Sequence, residues 1–554
     1  MWRMLGDAYV KSGRHMAGLK ALEHALELEP DMWMAQYHIG EVYSQLHAFD
    51  KAIEAFKAVE YAIGGTEVGV TAALAEATFS LGRQAAAGGF HERSRRSFHE
   101  AIELAARVLR AGRAHRAWAW KLIGDAALLL AEHEATPADI EGTATVLHPV
   151  LELLVADDDD RRSSVTGLGH ASNVLQAAPG PQHTVKAAVF AFAYRAHLLK
   201  NETRVADPAL YDLGCALHTL AVRTTNDAEK AAATKAAVSA IRLALEREPG
   251  DERLWNALGV IASAAGPQLA QHAFVVSLEC YSKDPVTWTN LGYLYLGLDD
   301  RELANECFLK SQILDPDYSR AWFGQGVLAE RDGQRDQAAS LFAHAVTLSA
   351  GSLLEADLAL AIQAFARYAN PMNRDTTALH QPAFALKRYT HSRPRDAAAQ
   401  HLYGLVCERL GLADNAVAAI QVAVSLFEDE FEATESPEVE ANYIIALTNL
   451  CRVRLAAGQY SAALEAYTSC SELASGSSDT RVVALTAQIH LGTALAHFWL
   501  HDLDASLAEF QAALDASKND NSMTDELVVL LARTLWGVGG DEAREAAKTH
   551  LMEW

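Results

Sequence analysis

A repeating unit of about 34 residues is the feature that most constrains this chain. Glycines recur at Gly6 and Gly40, and again at Gly259, Gly292 and Gly326, with spacings of 33 or 34 residues. Three phenylalanines follow the same period: Phe274, Phe308 and Phe342. A catalytic motif has no reason to recur in this way. A fixed period instead predicts a stack of similar units, each of which contacts mainly its neighbours.

The clearest copy of the unit is DPVTWTNLGYLYLGLDDRELANECFLKSQILDP, residues 284–316. It matches the signature of the tetratricopeptide repeat, which is W-x2-L-G-x2-Y, then A-x3-F, then P. In such a repeat two helices form a hairpin that buries its apolar face only against the next hairpin. The repeat-defining positions are Trp288, Leu291, Gly292, Tyr295, Ala304, Phe308 and Pro316.

Each of these positions has a structural reason. Gly292 is small because the two helices of the hairpin approach each other closely there. Phe308 is expected to fill the gap between one hairpin and the next. Pro316 ends the second helix, since proline cannot continue it.

The repeats predict an all-α fold, a right-handed superhelical tetratricopeptide-repeat solenoid of about 11–12 helical hairpins. Clusters of turn residues and acidic runs divide it, and the acidic stretch 428–440 is interpreted as a loop or an insertion. A weaker unit pairs Gly492 with Phe510. The predicted segments are N-terminal hairpins at 1–134, an irregular insertion or linker with an acidic loop at 135–186, a central block at 187–349 with its strongest repeats at 252–349, an irregular hairpin and bend at 350–399, and C-terminal hairpins at 400–554.

Composition limits the partners. The chain has 47 Lys plus Arg against 71 Asp plus Glu, a formal charge of −24, so no direct nucleic-acid binding is expected. Its longest apolar stretches stop short of the roughly 18 to 20 residues of a membrane span, so no membrane association is expected. Six scattered cysteines without a C-x-x-C pair, and a start unlike a secretory signal, indicate an intracellular protein, in the cytoplasm or also in the nucleus.

No motif predicts catalysis, a cofactor, a metal or a small-molecule substrate. Gly324-x-Gly326-x-x-Ala329 imitates a dinucleotide fingerprint, but its glycines occupy repeat positions inside a helix. His497 and His501 have metal-ligand spacing without an accompanying Glu. The run Asp157 to Asp160 and the basic cluster HERSRRSF, residues 91–98, are interpreted as solvated surface. The chain is therefore predicted not to be an enzyme.

The inner face of the solenoid is the candidate partner-binding surface, because first helices of adjacent hairpins line it. A chaperone-tail clamp there would place Lys and Asn at Asn256, Val260, Asn290, Arg320 and Gly324, of which only Asn290 fits fully and Arg320 conservatively. A tail clamp is therefore not favoured. The candidate partner-binding residues are Arg253, Asn256, Thr289, Tyr293, Arg320, Phe323 and Arg331.

Beyond the generic repeat, residues 252–349 resemble the large tetratricopeptide-repeat subunit of the Superkiller (Ski) complex. The resemblance rests on residues that the repeat signature leaves free, such as Asn256, Asn290 and the pair Gln325 and Gly326, and on the order of the repeats. It is thinner at 1–60 and through the C-terminal hairpins. Members of that family are longer, and this sequence resembles their C-terminal portion.

The resemblance implies a non-catalytic scaffold. It would hold a DExH RNA helicase and WD-repeat subunits together, for delivery of cytoplasmic mRNA to the exosome and decay in the 3′ to 5′ direction. Two other classes of function stay open: a generic tetratricopeptide-repeat adaptor or co-chaperone, and a repeat-containing enzyme such as a glycosyltransferase. The last would need a catalytic domain outside the repeats.

Overall fold

The computed structural model describes residues 1–65, 67–111, 116–133, 137–156, 180, 182–200, 203–263, 266–368, 376–476, 479–517 and 521–553. Within these ranges the regular structure is helical and contains no strand. The chain divides into two compact units, Met1–Leu328 and Ala329–Trp554. This division falls inside the predicted central block. The predicted acidic loop at Asp157 to Asp160 lies outside the described residues.

The first unit consists of helices that pack as pairs, consecutive in the chain except that α7 pairs with α9. They are α1 Trp2–Lys11, α2 His15–Leu28, α3 Trp33–Gln45, α4 Phe49–Ala62, α5 Val68–Ala87, α6 His91–Ala111, α7 Arg116–His133, α8 Pro137–Ala156, α9 His183–Leu199, α10 Thr203–Arg223, α11 Asp227–Leu245, α12 Glu252–Ala262, α13 Pro267–Cys280, α14 Pro285–Gly297 and α15 Arg301–Leu314. Helix α16, Ser319–Arg331, contains the boundary between the units.

The second unit continues the same pattern after α16. Its helices are α17 Arg335–Ser349, α18 Leu354–Tyr368, a 3-10 turn Thr377–Leu379, α19 His380–Ser392, α20 Ala397–Arg409, α21 Ala413–Thr434, α22 Pro437–Ala456, α23 Tyr460–Gly476, α24 Thr480–Val483, α25 Thr486–Trp499, α26 Leu503–Ala516, α27 Asn521–Val538 and α28 Asp541–Glu553.

These helices confirm the predicted all-α tetratricopeptide-repeat class. The pairs that pack within one unit are α1–α2, α3–α4, α5–α6, α7–α9, α10–α11, α12–α13, α14–α15, α18–α19, α20–α21, α22–α23, α25–α26 and α27–α28. Helices α16 and α17 follow one another as a further pair in the sequence. The number of hairpins in the described residues is therefore slightly above the 11 or 12 predicted.

A glycine that faces an aromatic ring sets the distance between the helices of a hairpin. A Cβ atom added to Gly292 would lie 2.7 Å from Cε1 of Phe308, closer than real Cβ contacts allow. The same ring lies against Gly324 of the next hairpin, where an added Cβ would lie 2.4 Å from Cε1. Phe308, which is fully buried, is thus held between two glycines. The predicted role of Phe308 as the filler between hairpins is confirmed.

The tryptophan of each strong repeat fastens its helix to the preceding turn. In three successive repeats the indole Nε1–H donates to the carbonyl oxygen six residues earlier. The pairs are Trp255 to Pro249 at 2.8 Å, Trp288 to Ser282 at 3.0 Å and Trp322 to Pro316 at 2.8 Å. An indole combines a large apolar surface with one donor, so it can bury its ring and still satisfy its N–H.

Local signals explain where the central helix α14 begins. The Asp284 carboxylate accepts hydrogen bonds from the backbone N–H groups of Val286 and Thr287, at 3.1 and 3.0 Å. Pro285 occupies the first helical position, where its missing N–H costs nothing. The sequence DPVT therefore starts a helix at a defined residue, which fixes the register of the repeat.

The segment 135–186 differs from the predicted irregular insertion. It contains the amphipathic helix α8, which packs against α6 and α9. The insertion splits a hairpin, because α7 packs with α9 across it. An added Cβ at Gly124 on α7 would lie 2.6 Å from Phe192 on α9, the same kind of contact as Gly292 with Phe308. The repeat geometry thus survives an insertion in its turn.

Two further predictions are wrong. Residues 428–440 are almost wholly helical, since α21 extends to Thr434 and α22 begins at Pro437. The carboxylates misled the prediction because solvated acidic side chains are compatible with an exposed helix face. The Gly492 unit is also misregistered: Gly492 faces Tyr467 of the preceding hairpin, at 2.2 Å from an added Cβ to the phenol oxygen. The position expected for Gly492 is taken by Ala494, whose carbonyl accepts from Ser506 Oγ at 2.8 Å.

One apolar segment was underestimated. Among the described residues, Thr480–Trp499 is long and apolar enough to cross a membrane by length and composition, with a mean hydropathy of 1.2. It consists of α24 and α25, and 39% of it is buried. Ile489 and Ala494 belong to the hydrophobic clusters of their hairpins. A core helix passes the same test, so this segment is weak support for a membrane span.

Candidate partner-binding groove

Two asparagines lie side by side on the first helices of adjacent hairpins. The Asn290 Nδ2 group of α14 donates to Asn256 Oδ1 of α12, at 3.0 Å. Both side chains are half-buried. Each amide carries both donors and acceptors, so the pair keeps further hydrogen-bonding capacity after this bond forms.

A groove lies beside this pair, between α12, α13 and α14. It has a volume of about 410 Å³. Most of its walls are apolar, and a few polar groups stand among them, which is the usual make-up of a binding pocket. The groove is lined by Val260, Ser263, Pro267, Phe274, Asn290, Tyr293, Leu294, Gly297 and Leu298.

Tyr293 joins the groove to the hairpin core. Its ring meets the Phe308 ring edge-on, with 5.2 Å between the ring centroids. Its hydroxyl donates to the carbonyl oxygen of Arg320, at the start of α16, over 2.8 Å. The phenol is therefore fixed at both ends, which makes it a rigid wall for a ligand.

The other predicted partner-binding residues lie on α12 and α16, and they differ in how exposed they are. Arg253 lies one turn before Asn256 on α12, and its side chain is 81% exposed. Arg320 is exposed and Phe323 is half-buried on α16. Arg331, at the end of α16, belongs to the second unit and is exposed. Of the predicted set, only Tyr293 lines the groove, while Asn256 reaches it through its hydrogen bond to Asn290, which is a lining residue.

Thr289 is a wrong prediction, because it is not on the surface. Only 1% of it is exposed, and its Oγ1 donates to Ser311 Oγ at 2.9 Å. Ser311 Oγ in turn donates to the carbonyl oxygen of Pro285. The hydroxyl is used in the contact between α14 and α15, and the next residue, Asn290, reaches the groove instead. A signal for Asn290 was available: it lies 34 residues after an identical residue, Asn256.

An ionic cluster on α7, α9 and α10 was not predicted. Lys121 Nζ lies 3.2 Å from Asp125 and 3.1 Å from Asp212, and Arg195 also pairs with Asp212. Burial raises the pKa of Asp125 despite the neighbouring Lys121. Burial likewise raises the pKa of Tyr211 to about 12. Opposite charges are balanced within the cluster, so it stabilises the contact between hairpins and offers no unpaired charge to a ligand.

Metal binding finds no support in the described part of the chain, where no three His, Cys, Asp or Glu side chains come together. His497 lies in α25 with Nδ1 3.5 Å from Asp502, whereas His501 follows the helix with a positive φ of 66°. The helix end thus separates the two imidazoles. Gly324 lies within α16, so the resemblance to a dinucleotide fingerprint has no turn to support it.

The paired helices and their glycine–aromatic contacts give the chain a tetratricopeptide-repeat fold. A family model described as "Tetratricopeptide repeat" matches residues 3–65, 289–352, 377–431 and 448–521. Comparison with curated proteins confirms the resemblance to the large tetratricopeptide-repeat subunit of the Superkiller complex. The chain is similar to Superkiller protein 3 of Schizosaccharomyces pombe, with 26% identity over 100% of this chain and 39% of that protein.

Two further relatives agree. Tetratricopeptide repeat protein 37 of Xenopus laevis is 27% identical over 96% of this chain and 32% of its own length. Superkiller complex protein 3 of Mus musculus is 26% identical over 84% of this chain and 28% of its own length. The chain therefore spans between about a quarter and two fifths of the relatives described here.

Proposed function

We propose that this chain is a non-catalytic scaffold of a Ski-like complex. It holds a DExH RNA helicase and WD-repeat subunits in the cytoplasm, and through them supports mRNA decay by the exosome in the 3′ to 5′ direction. The observation that carries the proposal is similarity to Superkiller protein 3 along the whole of this chain. A stack of helical hairpins, each packed on its neighbours, supports a role in positioning other proteins.

The groove is the proposed contact site for one of these partners. Its anchors are Tyr293 and Asn290, with Asn256 bonded to Asn290 and Arg253 one turn before Asn256 on α12. Buried aromatic and Arg anchors commonly dominate the affinity of protein interfaces. A partner segment would contribute an apolar side chain to the groove and a backbone amide to the asparagine pair.

Affinity purification of the tagged chain from its native cell tests the proposal. We expect a large RNA helicase and a β-propeller protein to copurify in stoichiometric amounts. The purified chain should not hydrolyse a nucleotide on its own. Recovery of general chaperones without helicase or propeller would instead support the co-chaperone alternative, and nucleotide turnover would contradict the scaffold.

A paired set of variants tests the groove itself. Asn290→Ala with Tyr293→Ala removes polar and aromatic anchors, and should lower recovery of one partner at least tenfold. Glu306→Ala, on the exposed face of α15, is the matched control and should leave recovery unchanged. Equal recovery with both variants would place the partner contact elsewhere on the chain.

A further inference from the structure

The densest basic cluster of the sequence, residues 91–98, is neutralised in the folded chain. Arg93 pairs with Asp50, at 2.5 Å, and Arg95 pairs with both Glu92 and Asp139. Arg96 lies 3.7 Å from Glu92. Its arginines are engaged by the protein's own carboxylates, so the cluster presents little net positive charge.

A second basic segment behaves differently. Between Asp375 and Asp396 the chain contains no acidic residue, while it contains Lys387, Arg388, Arg393 and Arg395. Arg388 is occupied: its Nε donates to one oxygen of the buried Asp357 over 2.8 Å and its Nη2 to the other over 2.5 Å. The other three are exposed, and none forms an ion pair with a described acidic side chain.

An exposed aromatic ring accompanies these cations. Phe384 on α19 is 68% exposed, and Lys387 follows it one turn later on the same helix face. The Arg388 guanidinium lies 5.9 Å from the centroid of the Phe384 ring, where it supports the ring by a cation–π contact. A large apolar ring in solvent among cations has no role in the core of the hairpin.

The acidic groups of the neighbouring helices do not cancel this charge. The carboxylate of Asp357 on α18 is paired with Arg388. Asp396, before α20, accepts from the backbone N–H of Ala399 at 2.9 Å and from the Tyr389 hydroxyl at 2.8 Å. Both carboxylates face the protein. Glu355 of α18 is exposed and lies near Tyr389, but it forms no ion pair with Lys387, Arg393 or Arg395, so the surface keeps a net positive charge.

We propose that Phe384, Lys387, Arg393 and Arg395, here called the α19 basic surface, bind single-stranded nucleic acid. The three cations contact successive phosphates, and a base stacks on Phe384. Stacking on an aromatic ring beside cations is how proteins hold single strands without sequence preference. An acidic peptide would use the cations but leave the ring unexplained. The net charge of −24 makes the contact local and sensitive to salt. This inference does not depend on the proposed scaffold function.

Fluorescence anisotropy of a labelled 12-nucleotide oligouridylate with the full chain tests the surface. We expect binding at 50 mM salt. The logarithm of the association constant should fall with the logarithm of the salt concentration with a slope of about −2, because each of three phosphate contacts contributes about −0.7. Phe384→Ala should weaken binding at least about fivefold and keep that slope, since base stacking does not depend on salt. The triple variant Lys387→Ala, Arg393→Ala, Arg395→Ala should abolish both binding and slope.

A control with matched chemistry is available in the neutralised cluster. Arg93→Ala with Arg96→Ala removes two arginines elsewhere and should leave the affinity within twofold of the wild type. Phe384→Leu, with circular dichroism, separates loss of stacking from loss of fold, because it keeps an apolar side chain and should bind as weakly as Phe384→Ala. Absence of binding by the wild type at 50 mM salt overturns the proposal. The proposal is also overturned if polyglutamate displaces the labelled oligouridylate as well as unlabelled oligouridylate does, and Phe384→Ala binds with unchanged affinity. Those two results together would assign the surface to acidic peptides.

Discussion

Replacing Gly292 by Ala tests whether the glycine–phenylalanine contact sets the spacing of the hairpins. The added Cβ would lie 2.7 Å from Phe308 Cε1 and 2.9 Å from Cδ1. The ring has little room to move away, because Gly324 lies against the same ring atoms at a similar distance. Overpacking of this kind costs up to about 3 kcal/mol, and the better helix propensity of Ala returns about 1 kcal/mol. We therefore expect a net loss of about 2 kcal/mol in the free energy of unfolding.

Urea denaturation followed by circular dichroism measures this loss, and two further variants make the result decisive. Gly142→Ala, in the second turn of α8, is the matched control, because nothing lies within 4 Å of its added Cβ. It should be neutral or stabilising by up to about 1 kcal/mol. Combining Gly292→Ala with Phe308→Leu should recover part of the loss, since the smaller side chain makes room. If Gly292→Ala were as stable as Gly142→Ala, the contact would not control the spacing.

Three other changes follow from individual contacts. Trp288→Phe should cost about 1 kcal/mol of unfolding free energy in urea denaturation, because it removes the indole bond to Ser282 and keeps most of the ring. Arg388→Met should cost about 3 kcal/mol at pH 7, because it leaves the Asp357 carboxylate buried without its partner, and a melt at lower pH should recover part of that loss as Asp357 protonates. Burial lowers the pKa of His401 in the folded chain to about 4, whereas a histidine in the unfolded chain has a pKa of about 6.5. As the pH falls below about 6.5, the unfolded chain binds a proton that the folded chain does not, so the wild type loses stability. His401→Gln should therefore lose less stability than the wild type between pH 6.5 and pH 4, with both curves parallel at pH 8.

The spacing of glycines and aromatic residues made the fold predictable, because in a tetratricopeptide repeat these identities encode a contact between helices. Gly292 and Phe308 are 16 residues apart, and so are Gly40 and Phe56, which make the same contact. The prediction failed where the chain kept the contact and changed the spacing. Phe192 reaches Gly124 across an insertion, 68 positions away and not 16, so the spacing of the other contacts does not identify this pair.

The candidate site was less predictable, because two neighbouring residues on a repeat helix can point in different directions, one into the hairpin and the other toward the next hairpin. Thr289 and Asn290 are adjacent and polar, yet Thr289 bonds across its own hairpin to Ser311 and Asn290 bonds to Asn256 of the adjacent hairpin. The difference depends on the rotation of α14 about its axis, which a sequence pattern does not fix to within one residue. Ion pairs between distant residues could not be predicted from the sequence either. Arg93, for example, is neutralised by Asp50, which lies 43 positions away.

The groove and the hairpin core share one aromatic contact, so the packing of the repeat and the geometry of the proposed partner site are coupled. Phe308 fixes the distance between two hairpins and also supports the ring of Tyr293, whose hydroxyl bonds to the start of α16. A change in the core at Phe308 should therefore move a wall of the groove without touching any residue that lines it. In a stacked array each hairpin is held mainly by its neighbours, so such a shift stays local to α12, α14 and α16. Partner affinity and local stability should then change together for Phe308 variants, whereas substitutions at exposed Arg253 should change affinity alone.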